Sequence, residues 1–187
     1  MSPPLGNLNS MSGDTETPTT WDETGLEAAG FGPAHPIEDL DLAQVPREPG
    51  VYVVLRSRAV ATATFRNPGS AGRFRDREPS VEIDELEAAW VDQADVLYIG
   101  KANDLRQRIG LLRRFGKGEP VAHWGGRYLW QLEDAVALRV AWHTTESDRN
   151  AAERTALIDA FAHQHDAMPF ANRLSPTCSV RAAEGRR

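Results

Sequence analysis

The stretch 96–108, VLYIGKANDLRQR, joins an apolar run to a glycine and then to an arginine-bearing segment. Residues 96–99 are typical of a short buried strand, and Gly100 predicts a turn at its end. Asn103 is a suitable N-cap for a helix that begins at Asp104 and runs to about Phe115. A strand that ends at a glycine and leads into such a helix can direct side chains and helix-end N–H groups towards a phosphate.

The helix predicted after Gly100 carries its apolar residues on one face. Leu105, Ile109 and Leu112 recur at the spacing of an amphipathic helix, which predicts the face that packs against a core. Arg108 stands one helical turn before Leu112, so it borders this buried face. An arginine at the edge of a core needs an anion or a carboxylate as its partner. Arg108 is therefore a candidate for a phosphate-binding residue.

The remaining pattern predicts an α/β fold of the α+β kind, in which helices flank a small antiparallel sheet of three or four strands. Besides 96–99, strands are expected over 50–56, 59–66 and 136–143, with the first two of these forming a hairpin. Helices are expected over 83–91 and 121–130, and from Ser147 or Asp148 to about His165.

Length and composition predict one folded domain with a tail at each end. A chain of 187 residues is long enough for one domain with a real core. Residues 1–33 are rich in Pro, Gly, Ser, Thr and acids, so we expect a disordered acidic tail there. The folded domain is expected over 34–175, with 67–95 as an insertion. Residues 176–187 are expected to form a flexible C-terminal tail.

The composition also bears on location. No apolar run approaches the ~20 residues of a membrane-spanning helix, so no membrane partner is expected. The N-terminus lacks the basic and apolar regions of a secretory signal. Cys178 is the only cysteine, which excludes an intrachain disulfide and a cysteine-based zinc cluster. His163 and His165 diverge on a helix, so we expect no zinc there. A cytoplasmic protein is the expectation.

The net charge of −6 is unevenly distributed along the chain. Residues 1–48 contain nine acidic residues against the single base Arg47, so most of the acidity is located there. Residues 97–131 contain seven basic residues against two acidic ones. A local basic surface is what phosphate binding requires, although such residues also form ordinary solvated helix faces. The candidate substrate-binding residues are Lys101, Arg106, Arg113, Arg114 and Arg127.

Two short motifs, GVY at 50–52 and YIG at 98–100, precede Arg108 in the chain. Further along come His123, Glu153 in an alanine-rich helix, and Asn172. In order and chemistry these residues resemble the GIY-YIG nuclease superfamily over roughly 48–173. Members of that superfamily usually join the two motifs by a short hairpin, whereas here the insertion separates them.

The resemblance implies a GIY-YIG-like fold and a metal-dependent endonuclease that hydrolyses phosphodiester bonds in DNA, in repair or restriction. Glu153 would hold a single Mg²⁺ ion, and Arg108 would bind the scissile phosphate. Tyr52 would act as general base or orient the attacking water, and Tyr98 would position water or phosphate. The implied catalytic set is Tyr52, Tyr98, Arg108, His123, Glu153 and Asn172.

Structural explanations remain open for several of these residues. Glu153 lies on a core-facing side of its helix with Leu157 and Phe161, where a salt bridge would also satisfy it. His123 is equally compatible with a structural role or with binding phosphate and sharing proton transfer. Asn172 is better suited to fixing backbone or orienting a group than to reacting. The alternative function is a nucleic-acid-binding or protein-interaction module of the same fold that does not cleave.

Overall fold

The computed structural model describes residues 16–56, 62–92 and 94–173. The strands are β1 (His35–Pro36), β2 (Gly50–Leu55), β3 (Val96–Ala102) and β4 (Arg139–Thr144), and they form a four-stranded antiparallel sheet in the order β1-β4-β2-β3. The α-helices are α1 (Glu23–Ala28), α2 (Ile83–Glu87), α3 (Leu105–Gly116) and α4 (Asn150–His165). Short 3₁₀ helices cover Leu42–Gln44, Trp124–Gln131 and Ala135–Ala137. The fold is therefore α+β, as the sequence predicts.

The central strand β2 is buried along its whole length. Because successive side chains of a strand point to opposite faces, Tyr52 and Val54 enter one hydrophobic cluster and Val51 and Val53 enter another. The first cluster includes the apolar stripe of α3, and the second includes residues of α1 and α4. The sheet is thus the middle layer between two helical layers. No helix in the described part of the chain is both long and apolar enough to cross a membrane.

The hairpin predicted between 50–56 and 59–66 is wrong. β2 pairs with β3 on one side and with β4 on the other. Residues 57–61 lie outside the described residues, and 62–66 contribute one isolated bridge, from Phe65 to Leu132. The Phe65 ring packs against Trp90 and Phe170 at 5.7 Å from each. β3 and β4 pair with both sides of β2, which leaves no edge of β2 for the residues 62–66.

The folded part of the chain begins earlier than predicted, because residues 16–33 are not a disordered tail. Asp22 caps α1, and Trp21, Leu26 and Phe31 are buried beneath α4. Trp21 packs edge-on against Phe161 with ring centroids 5.0 Å apart. The acidic composition of this segment predicts disorder, but its few large apolar side chains hold it in place. Residues 1–15 of the predicted N-terminal tail and residues 174–187, which include the predicted C-terminal tail 176–187, lie outside the described residues.

The insertion 67–95 is part of the core rather than a separate surface loop. Its helix α2 is shorter than the predicted 83–91, and Leu86 is fully buried in the same cluster as Tyr52. The Gln131 side chain accepts from Val81 N–H (2.8 Å) and donates to Val81 C=O (2.8 Å). These contacts hold the insertion against the 3₁₀ segment Trp124–Gln131.

The start of α3 is set by Asp104 rather than by Asn103. The Asp104 carboxylate accepts a hydrogen bond from the backbone N–H of Gln107 at 2.8 Å, which is the N-cap interaction. Asn103 instead accepts a hydrogen bond from the Asn150 side chain at 3.1 Å. Asn150 also donates to the carbonyl of Ala102 at 2.9 Å, so it joins the end of β3 to the start of α4.

Candidate active site

Tyr52 and Tyr98 lie on the same face of the sheet, on neighbouring strands. Tyr52 pairs with Gly100 and Val54 pairs with Tyr98, so the two tyrosines are diagonal neighbours with ring centroids 5.9 Å apart. Gly100 lies within β3 and not in the predicted turn, and a Cβ there would overlap the Tyr52 ring. Position 100 therefore requires glycine because the Tyr52 ring lies against the β3 backbone.

Tyr52 is completely buried and shares a hydrogen bond with a buried histidine. Its hydroxyl oxygen lies 2.9 Å from His123 Nε2. Burial raises the pKa of Tyr52 well above its usual value, and the nearby Tyr98 raises it further, while Arg108 acts in the opposite direction. Tyr52 therefore keeps its proton at neutral pH and lies behind the protein surface.

His123 is buried to the same extent and is uncharged. Burial, followed by the positive charge of Arg108, lowers the pKa of His123 from 6.5 to about 3. Its Nδ1 atom has no hydrogen-bond partner among the described residues. The residue predicted as a possible proton-transfer group is therefore a neutral imidazole next to Tyr52.

Arg108 joins the two tyrosines to the segment that carries His123. Its Nη1 donates to the carbonyl of Ala122 at 3.0 Å. Burial alone would lower the pKa of Arg108, but the interactions with Tyr52 and Tyr98 raise it overall, so the guanidinium stays charged. Its burial at the edge of the core agrees with the position that the helical spacing predicts.

Tyr98 and Arg108 line an open cleft of about 590 Å³ between the end of β3 and α3, with Arg154 of α4 on its other side. Lys101 and Arg154 line the same cleft, together with Asp104. The Asp104 carboxylate caps α3 and lies 3.5 Å from the guanidinium of Arg47 outside the cleft. The cleft thus brings a tyrosine hydroxyl and several cations together, which is a suitable arrangement for binding a phosphate.

Arg154 is a site residue that the sequence analysis missed. Its Nε donates to the carbonyl of Ile99 at 3.2 Å. It also lines a second, smaller cleft of about 250 Å³, which shares Tyr98 with the first and extends to Gly125 and Arg173. The signal in the sequence is its position three residues before the buried Leu157, which predicts the face of α4 towards the sheet.

Asn172 hydrogen-bonds to the backbone of the edge strand β3. Its Oδ1 accepts from the N–H of Ile99 at 2.7 Å, and its Nδ2 donates to the C=O of the same residue at 2.8 Å. The amide side chain thereby takes the place of a neighbouring strand at this point. Because Ile99 lies between Tyr98 and Gly100, Asn172 fixes the backbone that carries Tyr98.

Glu153, the predicted metal ligand, faces the sheet. Its Oε1 lies 3.4 Å from His143 Nε2, and 14% of its side chain is exposed. Among the described residues, no group of three or more His, Cys, Asp or Glu side chains could hold a metal ion. A single carboxylate still fits Mg²⁺, which proteins often bind through one or two carboxylates while water and phosphate oxygens complete the shell.

The five predicted substrate-binding residues do not form one basic surface. Lys101 is exposed and lines the main cleft. Arg106 donates to the carbonyls of Val45 (2.7 Å) and Ala43 (3.0 Å). Two of the remaining three donate to protein acceptors and the third stacks on aromatic rings: Arg113 to Leu40 O at 2.7 Å, Arg114 to Glu119 at 2.6 Å, and Arg127 on Trp124 and Tyr128. The basic count along the chain therefore overstates the charge available at the cleft.

Similarity to known proteins does not indicate a function for this site. No family model matches the chain, and neither a curated protein nor a solved structure is significantly similar to it. Of the predicted catalytic residues, Tyr52, Tyr98, Arg108 and His123 form one connected group. Asn172 supports this group through β3, whereas Glu153 lies against β4.

Proposed function

We propose that the protein is a Mg²⁺-dependent endonuclease of the GIY-YIG type that hydrolyses phosphodiester bonds in DNA. The observation that carries this proposal is the open cleft where Tyr98, Lys101, Arg108 and Arg154 meet. A guanidinium beside tyrosine hydroxyls is suited to a phosphodiester, because it neutralises the charge that develops on the phosphate oxygens. The proposal includes a cytoplasmic location, with DNA as the partner.

The two tyrosines have different roles, because Tyr98 lines the cleft and Tyr52 does not. Arg108 binds the scissile phosphate at the floor of the cleft, and Lys101 and Arg154 bind phosphate oxygens at its rim. Tyr98, which lines the cleft, orients the attacking water through its hydroxyl. Tyr52 and His123 act behind it as positioning residues, because the Tyr52 hydroxyl is buried and its pKa is raised.

Glu153 is the residue that would hold the metal ion. A Mg²⁺ ion held there would supply charge neutralisation at the phosphate and the leaving oxygen. The protein contributes one carboxylate to such an ion, and His143 at 3.4 Å limits the rotation of that carboxylate.

The second candidate function is a module of the same fold that binds nucleic acid without cleaving it. The observations that favour it are the contact between Glu153 and His143 and the complete burial of Tyr52. Both functions use the same cationic cleft, so binding alone does not separate them.

The experiment is a cleavage assay of the full chain with Mg²⁺ on plasmid, nicked, flapped and branched DNA. We expect cleavage by the wild type, and a loss of about 100-fold or more in Glu153→Gln and Arg108→Gln, because each variant removes a group that acts on the developing charge. The matched controls are Glu27→Gln, an exposed carboxylate of α1, and Arg73→Gln, an exposed arginine of the insertion.

Two results would decide against the nuclease. One is the absence of cleavage on every DNA while salt-sensitive binding persists, which supports the second candidate. The other is undiminished cleavage by Glu153→Gln, which would remove Glu153 from the reaction.

A further inference from the structure

Three arginines from separate segments stack on two aromatic rings next to the smaller cleft. Arg77 of the insertion lies 4.8 Å from the ring centroid of Trp124, and Arg127 lies 5.3 Å from the same ring. Arg127 also lies 4.9 Å from the Tyr128 ring, which Arg173 approaches at 5.9 Å. We call these five residues the arginine–aromatic cluster. Arg77 comes from the insertion, and Trp124, Arg127 and Tyr128 come from the 3₁₀ segment. Arg173 directly follows Asn172 in the chain.

Positive charge is in excess within this cluster. Glu85 of α2 interacts with both Arg127 and Arg173, and it accepts a hydrogen bond from the Tyr128 hydroxyl. Burial lowers the pKa of Arg127, Glu85 opposes this shift, and Arg77 adds to it. The guanidinium groups of Arg127 and Arg173 therefore share one carboxylate that already has another partner, and Arg77 adds a further positive charge next to Arg127. An anion placed among them would lower the energy of the arrangement.

The cluster adjoins the clefts of the candidate active site. Arg173 lines the smaller cleft, and so does Gly125, which is adjacent to Trp124 in the chain. The smaller cleft shares Tyr98 and Arg154 with the main cleft. The smaller cleft thus has Arg154 and Arg173 in its lining, with Asp159 as the acidic residue, and it offers a sugar-phosphate backbone a route from the main cleft towards the cluster.

Trp124 is less buried than the neighbouring Trp130. Trp130 is a core residue with 6% exposure, as such residues usually are. Trp124 is only partly buried, with two guanidinium groups over its ring. Stacking on aromatic rings fixes the planes of the guanidinium groups, so less entropy is lost when they bind a phosphate.

We propose that the arginine–aromatic cluster binds the sugar-phosphate backbone of a nucleic-acid strand that extends from the main cleft. This rests on the proposed function for the identity of the substrate, but binding at the cluster does not require cleavage. The insertion thereby contributes Arg77 to the substrate-binding surface and determines how much of the strand the protein contacts.

The test measures the salt dependence of binding without cleavage. Fluorescence anisotropy in EDTA gives the Kd of the full chain for a labelled single strand and for a duplex at several salt concentrations. The slope of log K against log salt is negative. Each phosphate that a variant no longer neutralises reduces the magnitude of this slope by about 0.7 to 0.9. We expect such a decrease in Arg77→Gln and in Arg127→Gln. Arg73→Gln, in the same insertion but paired with Glu78 at 3.6 Å, should keep the wild-type slope.

Glu85→Gln provides a test of opposite sign. The glutamine can still accept from the Tyr128 hydroxyl, but the negative charge among the guanidinium groups is gone. We expect the affinity for both nucleic acids to rise severalfold at low salt. A cluster that served only to pack the insertion would show no such gain. Arg77→Lys keeps the charge and should retain most of the slope that Arg77→Gln loses.

The outcomes for the cluster and for the nuclease are separable. If Arg77→Gln and Arg127→Gln bind with the wild-type slope and Glu85→Gln does not gain affinity, the cluster proposal is overturned, whether or not the wild type cleaves DNA. If these variants lose binding while no DNA is cleaved in Mg²⁺, the cluster proposal stands and the nuclease proposal fails. Thermal melting of each variant checks that it is folded.

Discussion

Tyr52 and Tyr98 carry the same hydroxyl on neighbouring strands, but their surroundings differ. Tyr52 is on the central strand β2, where its ring is covered by β3, Arg108 and the His123 segment. Tyr98 is on the edge strand β3 and lines both clefts. The position of a strand in the sheet thus decides which tyrosine lines the clefts.

The first prediction concerns the activity of the two tyrosine variants. Tyr98→Phe should lower kcat more than Tyr52→Phe, because Tyr98 lines both clefts whereas the hydroxyl of Tyr52 is buried against His123. Single-turnover cleavage of the best DNA substrate with Mg²⁺ measures the difference. An equal or larger loss in Tyr52→Phe, in a protein that melts like the wild type, would contradict these roles.

The second prediction is a pH dependence of stability caused by His123. Its pKa is about 3 when folded and about 6.5 when unfolded, so the unfolded chain binds the proton first as the pH falls. The stabilisation from neutral His123 is fully present above pH 6.5 and is lost as the pH falls towards 3. The free energy of unfolding should decrease by up to about 1.4 kcal/mol per pH unit within that window.

Urea denaturation between pH 7.5 and pH 5 measures this slope, and His123→Gln is the control. Glutamine cannot titrate, so the variant should show a shallower slope that reflects the other groups. If wild type and His123→Gln have the same slope, His123 is not the group responsible. The comparison is most direct above pH 5, because most carboxylates titrate at lower pH.

At the scale of the element, β3 is an edge strand whose outer side is satisfied by Ala171 and Asn172. Asn172 bonds both backbone groups of Ile99, and Ala171 N–H donates to the carbonyl of Leu97 at 2.8 Å. Edge strands expose unpaired backbone groups that must find partners. The segment that ends at Asn172 thus completes the strand that carries Tyr98.

The third prediction is that Asn172→Ala loosens this strand. It leaves the N–H of Ile99 without a partner, at about 1 to 3 kcal/mol for a buried group left unsatisfied, whereas the C=O of Ile99 keeps Arg154 Nε as a donor at 3.2 Å. The measurement is amide hydrogen exchange, in which the Ile99 N–H should lose protection. The amides of β2 serve as an internal reference. Unchanged protection at Ile99 would show that Asn172 does not hold the edge.

Helix α3 shows why charge along a sequence is a poor measure of a binding surface. Its spacing correctly predicts the buried stripe and the position of Arg108 at the edge of that stripe. It does not predict that Arg106 and Arg113 bind backbone carbonyls of the segment 40–45, because that segment is distant in sequence. Which arginines remain available to a ligand is decided by these long-range contacts.

At the scale of the whole molecule, the sheet separates two cores, and the N-terminal segment closes one of them. Trp21 is 3% exposed, and its Nε1 donates to Gln164 at 3.0 Å. Its carbonyl accepts from the N–H groups of Asp95 (2.9 Å) and Val96 (3.2 Å). The segment therefore links α4, which carries Arg154, to the start of β3.

The fourth prediction is that Trp21→Ala destabilises the whole protein. Removing a buried tryptophan of this kind costs about 3 to 5 kcal/mol, through reduced burial and the cavity that remains. The free energy of unfolding from urea denaturation measures the effect, and the exposed α1 variant Glu27→Ala is the control. A loss below about 1 kcal/mol would mean that 16–33 adds little to the fold.

The sequence by itself determined the α+β class, strands β2 and β3, the buried face of α3 and the position of Arg108 at its edge, because these follow from local periodicity. The other residues of the connected group, Tyr52, Tyr98 and His123, are predicted from the resemblance to the GIY-YIG superfamily. Tertiary structure decided that Tyr52 lies behind Tyr98, that Arg154 and Arg173 line the clefts, and that the insertion and residues 16–33 belong to the core. Burial and hydrogen-bond partners depend on which distant segments pack together, and local patterns do not specify those contacts.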